Sequence, residues 1–166
     1  MALTIDTFGQ QVKQALLAEP GPAGREVARK LLEQAVKDSE LVKQHLGNDQ
    51  PQRKVLYQDH DLGFAILGHV FHEARRTQPH DHGDSWAIYG QVSGETIMDS
   101  WEIVEPGRQD QPGKVRLRRS SVLTSGSART YNEGEIHSPR RDGPATLFRI
   151  EGNPNQAPPA KWIAIE

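Results

Sequence analysis

Pro79-His80-Asp81-His82-Gly83-Asp84-Ser85-Trp86-Ala87-Ile88-Tyr89-Gly90-Gln91-Val92-Ser93-Gly94-Glu95 is the stretch on which the reading of this chain turns. Two histidines stand one residue apart. On a β-strand alternate side chains share a face, so the spacing predicts that His80 and His82 point the same way and Asp81 points away. Two imidazoles so placed can reach one metal ion at about 2.0–2.1 Å. A surface His-Asp-His loop with no ligand is the competing reading. From Ser85 to Val92 the chain is rich in aromatic and β-branched residues and runs into Ser-Gly, the pattern of a strand followed by a turn. The stretch therefore predicts a metal site on a β-scaffold.

Working outward, the rest of the chain has the same β character on its C-terminal side. Strands are expected over 54–58, 62–71, 75–82, 85–92, 95–104, 115–123, 127–131, 145–151 and 161–165. Between them stand turn signals such as Asp59-His60-Asp61, Pro106-Gly107, Gln111-Pro112-Gly113 and Asp142-Gly143-Pro144. Many short strands at this spacing predict an all-β sandwich or barrel. The Asn/Pro-rich segment 153–160 reads as an irregular connection to a last strand. On the N-terminal side the period is helical. Residues 5–19 predict an amphipathic helix with Phe8, Val12, Ala15 and Leu16 on one face and Asp6 as N-cap. Pro20-Gly21-Pro22 ends it. Residues 23–46 predict a second, longer helix with Val27, Leu31, Ala35 and Val42 as its apolar stripe. The expected organisation is a helical extension over 1–47 and a β-barrel over 48–166, one domain in all.

Composition narrows the function. A chain of 166 residues can bury a core without covalent staples. It has no cysteine, which excludes disulfides, cysteine-ligated zinc and a cysteine nucleophile. A net charge of −2 gives no case for nucleic acid as a partner. Arg116, Arg118, Arg119, Arg140 and Arg141 read as a solvated strand face rather than a binding patch. No apolar run approaches the roughly 20 residues of a membrane span, and the first residues lack the pattern of a secretory signal. The expected compartment is the cytoplasm.

A second stretch completes the site: Gly126-Ser127-Ala128-Arg129-Thr130-Tyr131-Asn132-Glu133-Gly134-Glu135-Ile136-His137. Together the two stretches resemble the paired motifs of the cupin superfamily. His80, His82 and Gly94 stand at the offsets of the first motif. Gly126, Gly134 and His137 stand at those of the second, with Asn132 where a proline is usual. The resemblance covers roughly residues 62–151. It implies a cupin double-stranded β-helix, or jelly-roll barrel, with an N-terminal helical extension, and a homodimer. It also implies His80, His82 and His137 as metal ligands. The carboxylate ligand common in the superfamily would fall at Ala87, which leaves three neutral ligands. That pattern looks like the thiol dioxygenase group (cysteine dioxygenase and its relatives). Some members carry a cysteine–tyrosine crosslink whose cysteine would fall at Ala87, so this chain cannot form one. The segment from His137 to Pro154 also lacks the tyrosine expected there.

Three neutral ligands leave the full divalent charge on a bound ion and favour an anionic substrate group. The resemblance implies iron(II) as the metal and dioxygen as co-substrate with a small molecule. Nickel, manganese, copper and zinc also suit three histidines. If Ala87 faces the metal, alternation puts Tyr89 and Gln91 on the same face, and Tyr89 can hydrogen-bond substrate or dioxygen. A core tyrosine with a satisfied hydroxyl is the bland alternative. His69 and His72 can line the cavity or act structurally, and Trp86 reads as core. A substrate carboxylate would meet Arg53 or Lys54 by the resemblance. Arg149 reads either as such an anchor or as half of a structural ion pair. Two other functions compete. His82-Gly83-Asp84 with His137 also fits the facial triad of 2-oxoglutarate-dependent oxygenases, which leaves His80 unexplained. A non-oxidative cupin, whether lyase, hydrolase or binding module, uses the same histidines.

Overall fold

The computed structural model describes residues 2–155 and 161–166. Helix α1 (Ile5–Ala18) starts at Thr4, not at Asp6. The Thr4 hydroxyl accepts from the Thr7 amide at 3.1 Å, and the Thr7 hydroxyl accepts from the Thr4 amide at 2.9 Å. This reciprocal cap satisfies two orphan donors, and Asp6 is left in the first turn, where its charge suits the helix dipole. The single helix expected over 23–46 is two: α2 (Pro22–Ala35) and α3 (Ser39–His45). The Asp38 carboxylate accepts from the Leu41 amide at 2.9 Å and starts α3 anew, so the break falls at 36–38. The stripe expected here holds at Ala35, with Leu31 and Val42 partly buried against the core, and fails at Val27. Ala28, Leu32 and Ala35 are buried, whereas Val27 is 45% exposed.

The strands are β1 (Arg53–Gln58), β2 (Ala65–Phe71), β3 (Arg75–Arg76), β4 (Ala87–Ser93), β5 (Thr96–Glu105), β6 (Gly113–Leu123), β7 (Ala128–Tyr131), β8 (His137–Arg141), β9 (Ala145–Glu151) and β10 (Trp162–Ile165). They form two five-stranded sheets, ordered β1-β2-β9-β4-β7 and β10-β6-β5-β8-β3. Every pairing is antiparallel except β10 with β6. The two sheets face each other as a double-stranded β-helix, within the all-β sandwich or barrel class that the strand pattern predicted and as the resemblance implied. Three local expectations fail. Residues 75–82 are strand only at 75–76, and His80 joins the sheet through one isolated bridge to His137. Residues 62–64 belong to a turn, closed by the Asp59 carboxylate on the Leu62 amide at 2.7 Å and by Gly63 at φ 81°. Strand β8 was not expected at all, because His-Ser-Pro-Arg-Arg has neither apolar alternation nor freedom from proline. The connection expected over 153–160 lies partly outside the described residues. No described helix is long and apolar enough to cross a membrane.

The first sheet is buried on both faces. On one face Ile66, Ile88, Phe148 and Ile150 meet Phe8, Val12, Leu32, Ala35 and Leu41 of the helices. On the other, Ala87, Tyr89, Leu147, Phe71 and Tyr131 close the barrel interior with Met98 and Leu123 of the second sheet. Double burial explains why β2 is apolar almost throughout instead of alternating. Each large apolar side chain so buried stabilises the fold by about 1.5–3 kcal/mol.

Helix α2 packs closely on the first sheet at Gly90. A Cβ there would stand 2.7 Å from Leu32 Cγ and 2.8 Å from Val36 Cγ1. Gly90→Ala is expected to lower the urea-unfolding free energy by about 1–3 kcal/mol through overpacking. In a Leu32→Ala background the same substitution should cost less, because the clashing atom is gone. Equal losses in the two backgrounds would show that the helix does not press on Gly90.

Candidate metal centre

His137 is the first residue of β8, and His80 lies opposite it. The two exchange backbone hydrogen bonds, His80 N–H to His137 O at 3.0 Å and His137 N–H to His80 O at 2.9 Å. Beyond His80 the chain turns sharply. The Asp81 carboxylate accepts from the Gly83 amide at 2.9 Å and from Trp162 Nε1 at 3.1 Å, Gly83 takes φ 60°, and Ser85 N–H reaches His82 O at 3.0 Å. Asp81 thus points away, as expected, but it does so in a turn and not a strand. His80, His82 and His137 each offer a ligand atom, and the three atoms lie within 4.8 Å of one another. No carboxylate joins the group among the described residues, and Ala87, fully buried, stands where one would have been expected.

The donor chemistry fits a divalent ion. His80 Nδ1 is 2.9 Å from Gln78 O, and His137 Nδ1 is 3.0 Å from Glu135 O. A carbonyl only accepts, so both Nδ1 atoms carry the proton and both Nε2 atoms present a lone pair. This is the supporting arrangement that metal-bound histidines use. His82 Nε2 and His137 Nε2 are 3.2 Å apart. Two nitrogens about 2.0–2.1 Å from one ion sit about 3.0 Å apart at an octahedral angle and about 3.4 Å at a tetrahedral one. The observed spacing lies between these. Burial holds all three imidazoles neutral: His82 is depressed to about 3, and His80 and His137 are also lowered, His137 strongly. Neutral imidazoles are the form that coordinates.

Two tyrosines close the site. Tyr89 Oη lies 3.1 Å from His137 Nε2 and 3.3 Å from His82 Nε2. Tyr131 stacks on the His137 ring, with centroids 4.1 Å apart and planes 26° apart. Burial raises both phenols, Tyr131 to about 12, so each keeps its proton at neutral pH.

A cavity of about 200 Å³ opens beside the cluster. Of the residues singled out in the sequence, Arg53, His69, His80, Tyr89 and Arg149 line it. Arg149 proves to be both an ion-pair partner and a wall: Glu151 lies 3.3 Å from Arg149 and 3.7 Å from Arg53. Its guanidinium also sits 4.3 Å above the Tyr89 ring. Lys54 is not part of the wall; it is exposed on the strand's other face and approaches Gln50 at 3.4 Å. Gln91 is buried inward but belongs to the barrel packing. Its amide donates to Ser93 O at 2.9 Å and accepts from Thr96 Oγ1 at 2.8 Å, away from the cavity. His72 is exposed beside a different depression. Asp84 is exposed, lines a surface hollow with Arg25 and Glu133, and is not among the three clustered ligand residues. A larger groove of about 620 Å³ runs past Tyr131 and Arg129, but none of the three histidines lines it.

Sequence reasoning missed Arg75, Arg141 and Tyr131. Arg141 was read as part of a solvated face, yet it is only 2% exposed. Recognising β8 would have found it, since His137, Pro139 and Arg141 alternate onto one face.

No protein-family profile matches the chain, and no curated protein matches it. Solved structures match it by fold. A double-stranded β-helix protein from Klebsiella pneumoniae aligns over 72% of this chain and 88% of its own at 15% identity, with a TM-score of 0.50. A cupin superfamily protein from Desulfitobacterium hafniense aligns over 64% of this chain and 80% of its own at 12% identity, with a TM-score of 0.45. A cupin-2 domain protein from Shewanella frigidimarina aligns over 70% and 95% at 14% identity, with a TM-score of 0.46. The architecture of this chain is a double-stranded β-helix. At such identities the likeness concerns the fold, and the chemistry has to be read from the residues.

The buried histidines make the metal-free fold acid-sensitive. Burial, with Arg149 and Arg141 nearby, depresses His69 to about 2, against about 6.5 in an unfolded chain. Below pH 6.5 the unfolded chain binds a proton that the folded one refuses. Stability is therefore full above that pH and falls as pH falls, by about 1.4 kcal/mol per unit for one such group. His69→Phe keeps a ring to stack on Phe71. It should lose about 2 kcal/mol less than wild type between pH 6.5 and 4.5, measured by urea unfolding after chelation. Equal losses would show that His69 is not held neutral.

Proposed function

We propose that His80, His82 and His137 bind one divalent ion, iron(II) first, and that the chain is a dioxygenase of a small anionic substrate with thiols as the leading candidates. One observation carries the reading: three imidazoles, no carboxylate among them, converge beside a small arginine-walled cavity. Three neutral ligands keep the ion's charge undiminished and favour an anion in its open positions. The cavity is smaller than the roughly 300–1,000 Å³ typical of sites for drug-sized ligands, which favours a substrate of few atoms.

Bound iron(II) would supply the redox chemistry and the open positions where a thiolate and dioxygen meet. The chain's own residues do the rest. Arg53 and Arg149 attract and orient the anionic end of the substrate. Tyr89, protonated and within 3.1–3.3 Å of two ligand nitrogens, offers a hydrogen bond to whatever occupies the open face. His69, neutral and with Nε2 lacking a partner, can donate or accept at the cavity wall. Conversion of RS⁻ and O₂ to the sulfinate RSO₂⁻ places both oxygen atoms on sulfur and needs no further reductant. In this reading residues 1–47 buttress the barrel of residues 48–166, and the protein works as a cytoplasmic homodimer.

Protein purified without added metal is expected to contain close to one iron per chain and to take up oxygen when small thiols are added. His137→Ala should abolish both, lowering uptake by more than about 100-fold, while Asp84→Ala keeps the metal. Metal without thiol-dependent oxygen uptake overturns the oxidative step and leaves the centre intact. No metal even after reconstitution overturns both. Metal loss in Asp84→Ala overturns the assignment of ligands in favour of His82, Asp84 and His137.

A further inference from the structure

The cavity beside the histidines carries more positive charge than a single carboxylate requires. Four guanidinium groups line it: Arg53, Arg75, Arg141 and Arg149. One carboxylate, Glu151, offsets them, and it lies between Arg149 and Arg53. Neither Arg141 nor Arg75 forms an ion pair with a carboxylate among the described residues; Asp142 lines another depression, and Glu73 lines one that Arg75 shares without pairing with it. Arg141 is nine-tenths buried and more, yet its Nη2 has no hydrogen-bond partner. Its Nε donates to Thr96 Oγ1 at 3.1 Å, and its guanidinium lies 4.2 Å from the Phe71 ring centroid, so the side chain is held in place from behind. In the β3–β8 pairing Arg75 stands directly opposite Arg141. Like charges opposite one another on paired strands repel. Arg141 is buried and Arg75 exposed, and the cost of the buried cation beside a like charge is one that an anion between them would offset.

We propose that this cavity is a subsite for an oxyanion bearing two negative charges, either a phosphoryl group or a pair of carboxylates, and that Arg141 is the residue that selects it. Arg141 and Arg75 contribute the fork donors that such a group accepts in bidentate fashion. Arg149 and Arg53, half-neutralised by Glu151, complete the wall. The substrate then has two anionic ends, one at the histidine cluster and a doubly charged one held by Arg141. Its position beside a metal rests on the proposed function above. The capture of the oxyanion does not, so it is measured in protein stripped of metal.

Titration calorimetry at pH 8 and constant ionic strength compares succinate, inorganic phosphate and propionate on the chelator-treated protein. At least one of the two dianions should bind about tenfold or more tightly than propionate. Succinate ahead of phosphate identifies a dicarboxylate, and the reverse identifies a phosphoryl group. Arg141→Met keeps the apolar contact with Phe71 and removes the charge. It should weaken the preferred dianion by about tenfold or more and change propionate far less, with metal content at the histidines unaltered. Arg141→Lys should fall between, since it restores charge without the fork. Equal binding of propionate and both dianions, or no binding of any of them, overturns the proposal in the wild-type protein alone. Dianion affinity unchanged in a folded Arg141→Met protein overturns the role of Arg141.

Discussion

Two backbone hydrogen bonds between His80 and His137 hold the site together. They join segments far apart in sequence, and with the two bonds from Thr77 to Pro139 O they tie the His80 segment to β8. A narrow antiparallel bridge brings two backbones close enough for their side chains to meet on one face. His82 then arrives by a turn, fixed by Asp81 and by Gly83 at positive φ. The geometry therefore depends on main-chain pairing first and on side-chain packing second. The second sheet supplies the edge on which this happens, and the first sheet, pressed from behind by three helices, supplies Ala87 and Tyr89 as the floor.

The same construction sets the electrostatics. Helices covering one face of the first sheet make its other face a deep interior, where ionised groups are costly unless paired. Histidines respond by staying neutral, and tyrosines by keeping their protons. Arginines cannot respond so readily. Arg141 is pushed down only to about 10 by burial, so it remains a cation at physiological pH. Arg149 and Arg141 lie over the faces of Tyr89 and Phe71, where ring quadrupoles favour positive charge. Such contacts contribute roughly 0.5–2 kcal/mol, less than the several kcal/mol of desolvation that a buried ion incurs. The proposed ligands, a cation at the histidines and an anion at the arginines, would offset the remainder.

The sequence was most informative where the pattern is local. Alternation placed Tyr89 and Gln91 inward, turn residues separated most of the strands, and the helical period marked the N-terminal extension. His80, His82 and His137 were legible because they stand in two spaced motifs, and the structure draws them into one cluster. The failures have a common physical cause, namely that tertiary contacts override local pattern. Strand β8 is polar and contains Pro139, yet it is buried because both its neighbours are strands and its arginines point into a cavity or meet Asp99. The long helix breaks because Asp38 offers a better local acceptor than continued helix does. The expected stripe on α2 fails at Val27 alone, since Gly90 admits Leu32 and leaves Val27 outside. Lys54 was placed by analogy of position, and strand alternation put Arg53 rather than its neighbour at the cavity.

That last contrast between neighbours bears on how chemistry is assigned within this fold. A barrel of this type fixes which positions face inward but not what stands there. Here the inward positions at 141, 149 and 53 are arginine, the one at 87 is alanine, and the one at 89 is tyrosine. With alanine at 87 and no carboxylate among the three histidines, nothing in that cluster offsets the positive charge that the arginines add. Neither feature helps the fold by itself, since one adds uncompensated charge and the other lacks a neutralising one. Both features act in the same sense on a ligand, strengthening the attraction for an anion in a space too small for a large one. The concentration of like charge in one 200 Å³ cavity is thus the feature of this chain that folding alone least explains.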